Sequence, residues 1–265
     1  MAKLNLENKW ILITGASGGL GKSIARYLAQ NEKANLVLSA RRIEQLQQLK
    51  EEIETSSNSK VLYIQTDLSK RDDVEKLFHE AVKIADIDAI INNAGITYYG
   101  LTDINHFETF ETIIDVNMKA LMWLTLRFLE YFKEKGNGAI LNITSEAGLI
   151  PTPYQTVYSA SKHAAQVFTE AIRAENRKSG VIISSFAPGG IATEMLTKSG
   201  LDKKHGMDSP FNMNPDVVAR LAVKSFKKKK FISVPGFLNK LTVCVARFLP
   251  RRFIAFSSER VYRPL

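Results

Sequence analysis

Tyr158 and Lys162 stand four residues apart in a stretch with helical patterning, so both side chains leave one helix face a turn apart. A phenol titrates near pH 10 and is a poor acid or base at neutrality. An ammonium group beside it favours the phenolate and lowers that pKa, which makes the tyrosine a usable proton donor or acceptor. On spacing alone such a pair is also an ordinary solvated helix face. The chemistry needs a second hydroxyl, a cofactor and a pocket from elsewhere in the chain.

A glycine-rich loop offers the cofactor. The first apolar run leads into Thr-Gly-Ala-Ser-Gly-Gly-Leu-Gly at 14–21. Gly15, Gly19 and Gly21 permit a tight turn, close approach to a pyrophosphate and close helix–strand packing, while Ser17, Gly18 and Leu20 complete the loop. The helix that follows turns free N–H groups and its positive end toward phosphate. The end of the second strand then separates two dinucleotides. An NAD site usually has an acid there for the ribose 2′-hydroxyl; this chain has Arg41 and Arg42, which can grip a 2′-phosphate with forked, charge-assisted contacts. NADP(H) is the expected cofactor, against the plainer reading of two solvated arginines opening a helix. Asp67 and Leu68 after the third strand, and Asn93, Ala94 and Gly95 after the fourth, fall where an open parallel sheet binds its ligand.

These positions depend on alternating elements. Apolar runs at 10–14, 35–39, 61–66, 89–92, 139–144, 181–187 and 231–234 read as strands, most of them continuous, as in a parallel sheet covered on both faces. Helical patterns at 20–30, 43–53, 72–84, 107–135, 155–178 and 215–226 lie between them. The fold class expected is α/β: one Rossmann-type doubly wound parallel sheet of about seven strands over residues 1–235, followed by a basic amphipathic extension at 236–265. Residues 189–214 read as a long insertion covering the substrate. The single cysteine, Cys244, leaves no intramolecular disulfide and suits a reducing compartment. The start lacks the apolar core of a signal peptide and no long apolar run spans a bilayer, so a cytoplasmic protein is expected. No metal site is read.

The motifs and their order resemble the short-chain dehydrogenase/reductase family, in its shorter, non-extended branch, over roughly residues 8–195. The resemblance implies a catalytic tetrad of Asn117, Ser145, Tyr158 and Lys162. Ser145 would hold the substrate oxygen and Tyr158 would exchange a proton with it as hydride moves. Lys162 would lower the tyrosine pKa and bind the nicotinamide ribose, and Asn117 would position a linking water. Pro188, Gly189, Ile191 and Thr193 would hold the nicotinamide end. Tyr98, Tyr99, Ala147, Ile150, Tyr154, Met195 and Leu196 are the expected pocket liners, with Ser145 and Tyr158. They carry no fixed positive charge, which points to an uncharged, lipophilic carbonyl or alcohol.

Net charge is +9, from 36 Lys and Arg against 27 Asp and Glu, and it is uneven. Residues 224–265 hold eleven basic residues against one acid, Glu259, whereas 1–223 hold 25 against 26. A near-neutral body argues against nucleic acid as a partner. In the tail, Phe237, Leu238, Leu241, Cys244, Val245, Phe248 and Leu249 form one helical stripe. Two readings stand: a helix docked on its own domain or a partner subunit, or an amphipathic anchor on an anionic membrane. The helices at 107–135 and 155–178, with the segment 121–124, are expected to form a homodimer, or a tetramer. The functional expectation is an NADP(H)-dependent oxidoreductase interconverting a ketone or aldehyde and an alcohol. The alternatives are a non-catalytic nucleotide sensor and a membrane-surface adaptor on the same scaffold.

Overall fold

The computed structural model describes residues 3–201, 209 and 212–264. Along β1 (Trp10–Thr14) Ile11 and Ile13 face one core and Leu12 the other, all fully buried, which is why the strand reads as an unbroken apolar run. β2 (Asn35–Ala40), β3 (Val61–Gln65), β4 (Ile87–Asn92), β5 (Gly138–Ile143), β6 (Val181–Phe186) and β9 (Ile232–Ser233) join it in a seven-stranded parallel sheet of order β3-β2-β1-β4-β5-β6-β9. One face is covered by α1 (Gly19–Glu32), α2 (Ile43–Ser56) and α8 (Pro215–Lys227), through residues such as Ile24, Leu49 and Phe226. The other is covered by α3 (Arg71–Ile84), α5 (Leu121–Lys135) and α6 (Thr156–Glu175), through Leu77, Phe128 and Ile172. Strand order reverses between β1 and β4, and the crevice beyond the carboxyl ends at that reversal is where such a sheet takes its ligand. The doubly wound Rossmann-type architecture is therefore present.

A buried polar network fixes the helix that carries Tyr158 and Lys162. Asn92 Nδ2 donates to Asn142 Oδ1 at 2.8 Å and to Thr125 Oγ1 at 3.1 Å, and Asn142 Nδ2 donates to Thr169 Oγ1 at 2.9 Å. Thr144 Oγ1 and Ser185 Oγ both donate to Gln166 Oε1, at 2.7 and 2.6 Å. These bonds run from β4, β5 and β6 into α5 and α6. Because a buried polar group left unpaired is costly, they set the register of α6 more strictly than apolar packing alone.

Three segments differ from the sequence expectation. The single helix at 107–135 is α4 (Phe107–Ile114), a π-helical turn (Asp115–Ala120) and α5. A turn with five-residue hydrogen bonds has no signature in hydrophobic periodicity, and such bulges gather at functional sites. The insertion contains regular structure: β7 (Gly190–Ile191) pairs in parallel with β8 (Asn212–Met213), and α7 (Glu194–Ser199) lies between them, while 202–208, 210 and 211 lie outside the described residues. The tail holds two helices, α9 (Phe237–Ala246) and α10 (Arg251–Tyr262), separated at Pro250. Leu121 and Leu124, read as a subunit contact, are buried within the chain itself, Leu124 in the core against the sheet.

Candidate active site

The glycine loop opens onto a cavity of about 1040 Å³ at the carboxyl ends of the strands. Gly15 has φ +67°, and a Cβ there would sit 2.8 Å from Ala94 Cα; one on Gly21 would overlap the Gly15 carbonyl oxygen. Asn93 closes the loop onto β1, donating from its N–H to Thr14 Oγ1 at 3.0 Å and from Nδ2 to Thr14 O at 2.9 Å. Gly18 precedes α1 in extended conformation, and Gly15, Ser17, Gly18, Gly19 and Leu20 line the cavity.

The second-strand arginines lie beside that loop. Arg42 Nη2 donates to Ser17 Oγ at 3.3 Å, and Nη1 pairs with Glu194 of α7 at 3.5 Å. Arg41 lines the same end of the cavity with Asp67, Leu68, Ala94 and Gly95. Burial pushes the Asp67 carboxyl up, but hydrogen bonds from the Ser69 N–H and hydroxyl, with Arg41 and Lys70 nearby, hold it below its ordinary value. The Thr66 hydroxyl, on the same wall, is buried without a hydrogen-bond partner among the described residues. A glycine loop at a helix start, two arginines and an unpaired hydroxyl along one wall fit a phosphorylated dinucleotide.

Ser145 stands two residues past β5 as the cap of a 3-10 turn (Glu146–Gly148), its Oγ accepting from Ala147 N–H at 3.1 Å. Its hydroxyl is in hydrogen-bonding reach of the Tyr158 phenol, and both line the cavity. Lys162 is buried one turn on, with Nζ donating to Ile143 O at 3.1 Å and lying 5.9 Å from the Tyr158 ring centre. Here the electrostatics differ from the simple pairing. Burial pushes Tyr158 up, with the Ser145 hydrogen bond pulling back, and pushes Lys162 down to about 8. Desolvation disfavours both charges, and at this separation it outweighs their mutual attraction.

Asn117 sits in the π turn, fully buried behind the cavity wall. Its Oδ1 accepts from Ile96 N–H at 2.9 Å, and its Nδ2 donates to Ile96 O at 2.9 Å and Ser161 Oγ at 3.1 Å. Asn117 Oδ1 and Lys162 Nζ flank Gly95, 3.4 and 3.3 Å from where a Cβ would stand. The π turn thus brings the asparagine to Lys162 while tying it to the loop after β4. Pro188, Gly189, Ile191 and Thr193 line the cavity opposite, with Thr193 packed over Gly19.

On the substrate side Ala147, Ile150, Met195 and Leu196 line the cavity. Tyr98, Tyr99 and Tyr154 do not. Tyr98 packs on His106 and Phe110; Tyr99 Oη donates to the Tyr262 carbonyl at 2.8 Å; Tyr154 Oη donates to Glu259 at 2.7 Å. Tyr154, at φ +63°, turns its ring toward the tail and away from the cavity. Two of these tyrosines therefore fasten α10. The tail roofs the cavity: Leu241, Val245 and Leu249 come from α9 and the following turn, and Phe253, Ile254 and Tyr262 from α10. Sequence reasoning missed α10, although positions 253, 254, 257, 258, 261 and 262 repeat at helical spacing. Ser257 and Ser258 interrupt the apolar stripe, and Pro250 breaks its continuity with the helix before it. It also missed Glu146, although it directly follows Ser145, and Asn239, a polar residue of the tail with no motif around it.

Residues 9–204 match the model of the short chain dehydrogenase family. An uncharacterized oxidoreductase of Staphylococcus saprophyticus is 31% identical over 240 residues, covering 88% of this chain and 96% of that one. The 17-beta-hydroxysteroid dehydrogenase type 3 of Rattus norvegicus is 34% identical over 196 residues, covering 72% of this chain and 63% of that one. Among solved structures, a short-chain dehydrogenase from Sphingobium yanoikuyae in complex with NADPH superposes with a TM-score of 0.81 at 28% identity, over 91% of this chain and 93% of that one. With the family model matched over most of its length, the chain belongs to the short-chain dehydrogenase family, an oxidoreductase family of nicotinamide chemistry.

Proposed function

We propose that the protein is an NADP(H)-dependent carbonyl reductase or alcohol dehydrogenase acting on an uncharged, lipophilic substrate. The observation that carries this reading is that the Ser145 and Tyr158 hydroxyls, backed by Lys162, share one cavity with the glycine loop, Arg41 and Arg42. NADPH bound there would supply hydride. Ser145 would hold the carbonyl oxygen, and Tyr158 would pass it a proton. Lys162, kept in place by Ile143 O and neighboured by Asn117, would bind the nicotinamide ribose and favour the phenolate left behind. Arg42 over Ser17, with no carboxylate at the end of β2, supports NADP over NAD. The NADPH held by the Sphingobium structure and the steroid chemistry named for the rat relative are consistent with it. A sensor or adaptor would leave the serine, tyrosine and lysine without a use.

The test is NADPH oxidation with aldehydes, ketosteroids, long-chain ketones and quinones. At least one class is expected to turn over, with kcat/KM for NADPH at least about tenfold above NADH. Arg42→Glu should lower the NADPH value by about 100-fold, as charge-assisted bonds are replaced by repulsion. NADH used as well as NADPH refutes the cofactor assignment; no NADPH consumption with any carbonyl refutes the reading.

The tail supports a second role alongside roofing. Phe237, Phe248 and Phe256 are 80, 83 and 72% exposed, among Lys240, Arg247, Arg251 and Arg252. Aromatic and cationic side chains mixed on one surface suit peripheral docking on an anionic membrane, from which a lipophilic substrate would arrive. No helix among the described residues is long and apolar enough to cross a membrane. The protein is expected to sediment with anionic vesicles at low salt, and Phe248→Ser with Phe256→Ser to cut that fraction at least fivefold. Equal recovery with neutral and anionic vesicles would sink the docking. Exposed Leu126 on α5 and Val167 on α6 support a homodimer or tetramer through those helices, and lone Cys244 supports a reducing, cytoplasmic setting.

A further inference from the structure

The substrate half of the cavity carries one carboxyl group, among the described residues, that the proposed chemistry does not use. Glu146 follows Ser145 directly, and its N–H donates to Pro188 O at 2.8 Å, which pins the turn between β5 and the end of β6. The side chain reaches over Gly189, with Oε2 lying 2.8 Å from where a Cβ on that residue would be. The Asn239 amide crowds the same spot from α9, held there by a bond from Nδ2 to Pro235 O at 3.2 Å. Gly189 therefore leaves room for two polar groups beside the reacting hydroxyls.

No hydrogen bond or ion pair holds the Glu146 carboxylate among the described residues, and burial alone pushes its pKa up to about 7. The Tyr262 phenol is close by: burial pushes it up to about 12, with the nearness of Glu146 and Tyr158 adding to the shift. Glu146, Tyr158 and Tyr262 are thus electrostatic neighbours at the reaction centre. Beyond the Asn239 amide and the Tyr262 phenol, the lining of this cavity includes the apolar side chains of Ala147, Ile150, Leu241 and Val245. A carboxyl group set into such a wall is unfavourable in the empty protein, and a donor arriving with a ligand relieves it. Glu146 and Tyr158 both act on the Tyr262 phenol and line one cavity with Ser145, so a carbonyl held by Ser145 and Tyr158 brings its first few carbons toward the Glu146 carboxylate.

We propose that Glu146 determines specificity by accepting a hydrogen bond from a substrate hydroxyl within about three carbons of the reacting carbonyl. The substrate class is then lipophilic hydroxyketones, or the corresponding diols in the oxidative direction. This inference rests on the carbonyl-reductase reading and deepens it.

The experiment compares a hydroxyketone with the hydroxyl-less ketone of the same carbon skeleton, using NADPH and the full-length chain. The wild type should favour the hydroxyketone by about 10- to 100-fold in kcat/KM, the range for a hydrogen bond to a charged acceptor. Glu146→Leu should bring that ratio to within about threefold of unity, and the isosteric Glu146→Gln, whose neutral amide oxygen still accepts, should give an intermediate value. A change in a ratio between two substrates is not produced by a loss of folding, and Glu146→Gln alone decides the matter if the leucine variant does not fold. A wild-type ratio near one, or one that neither variant lowers, overturns the assignment of Glu146. Turnover of neither ketone, nor of any other carbonyl, overturns the underlying reading instead.

Discussion

Tyr158→Phe is expected to lower kcat for carbonyl reduction by about 10³-fold, within the range for removing a positioned general acid. NADPH affinity should stay within a few-fold of wild type, because the tyrosine's hydroxyl faces Ser145 and the glycine loop lies on another wall. Steady-state kinetics and a fluorescence titration with NADPH separate the two quantities. The direction of the pKa shifts adds a pH signature. Burial raises Tyr158, so the phenol is protonated throughout the neutral range and reduction should not depend on its ionisation there. Alcohol oxidation needs the phenolate, and its rate should climb with pH until Lys162, lowered to about 8, begins to lose the charge that supports it. Near-normal turnover in Tyr158→Phe would remove the tyrosine from the chemistry.

Deleting residues 236–265 should lower kcat/KM for a lipophilic ketone by about 100-fold while sparing NADPH binding. Leu241, Val245, Leu249, Phe253 and Ile254 contribute apolar wall to the cavity, and the loss of contacts worth about 0.8 kcal/mol per buried methylene adds up to that factor after three or four groups. The arginines and glycine loop stand at the other end and do not involve the tail. α10 buries no residue fully and is fastened by the Tyr99 and Tyr154 hydroxyls, with Arg263 and Tyr154 holding Glu259 well below the usual carboxylate range. The deletion should therefore leave the sheet cooperative, with a thermal transition close to wild type. An unchanged kcat/KM in a folded deletion variant would mean that the roof contributes nothing to substrate binding.

The sheet was legible because its strands are continuous apolar runs and its ligand-bearing turns use residues with restricted alternatives. The loop at 14–21 could be read because Gly15 and Gly21 sit where a side chain would collide. The catalytic candidates were legible as types and spacings, but not the state they are in. That burial outweighs the tyrosine–lysine attraction follows from how deeply Lys162 is set, which spacing does not encode. The π turn at Asn117 was not legible because the shift in apolar phase that it makes is too small to mark a break within a long amphipathic stretch. Tyr154 was placed in the pocket for its position near Tyr158; its left-handed backbone turns it to Glu259, more than a hundred residues away in sequence. The tail follows the first of its two readings, a helix docked on its own domain, but its place over the cavity was not legible, because a surface helix and a cavity roof share one amphipathic pattern. Only the fold decides what lies beneath it.

The roof is synthesised after the sheet that it covers. Every element of the seven-stranded sheet, and every residue of the dinucleotide end, precedes Phe237. At about 5–20 residues per second, a nascent chain can finish its sheet while the roof is still being added. During that interval the protein has a dinucleotide crevice but no enclosed substrate chamber. The substrate chamber therefore closes after the fold that supports it, once the residues from Phe237 onward have been added.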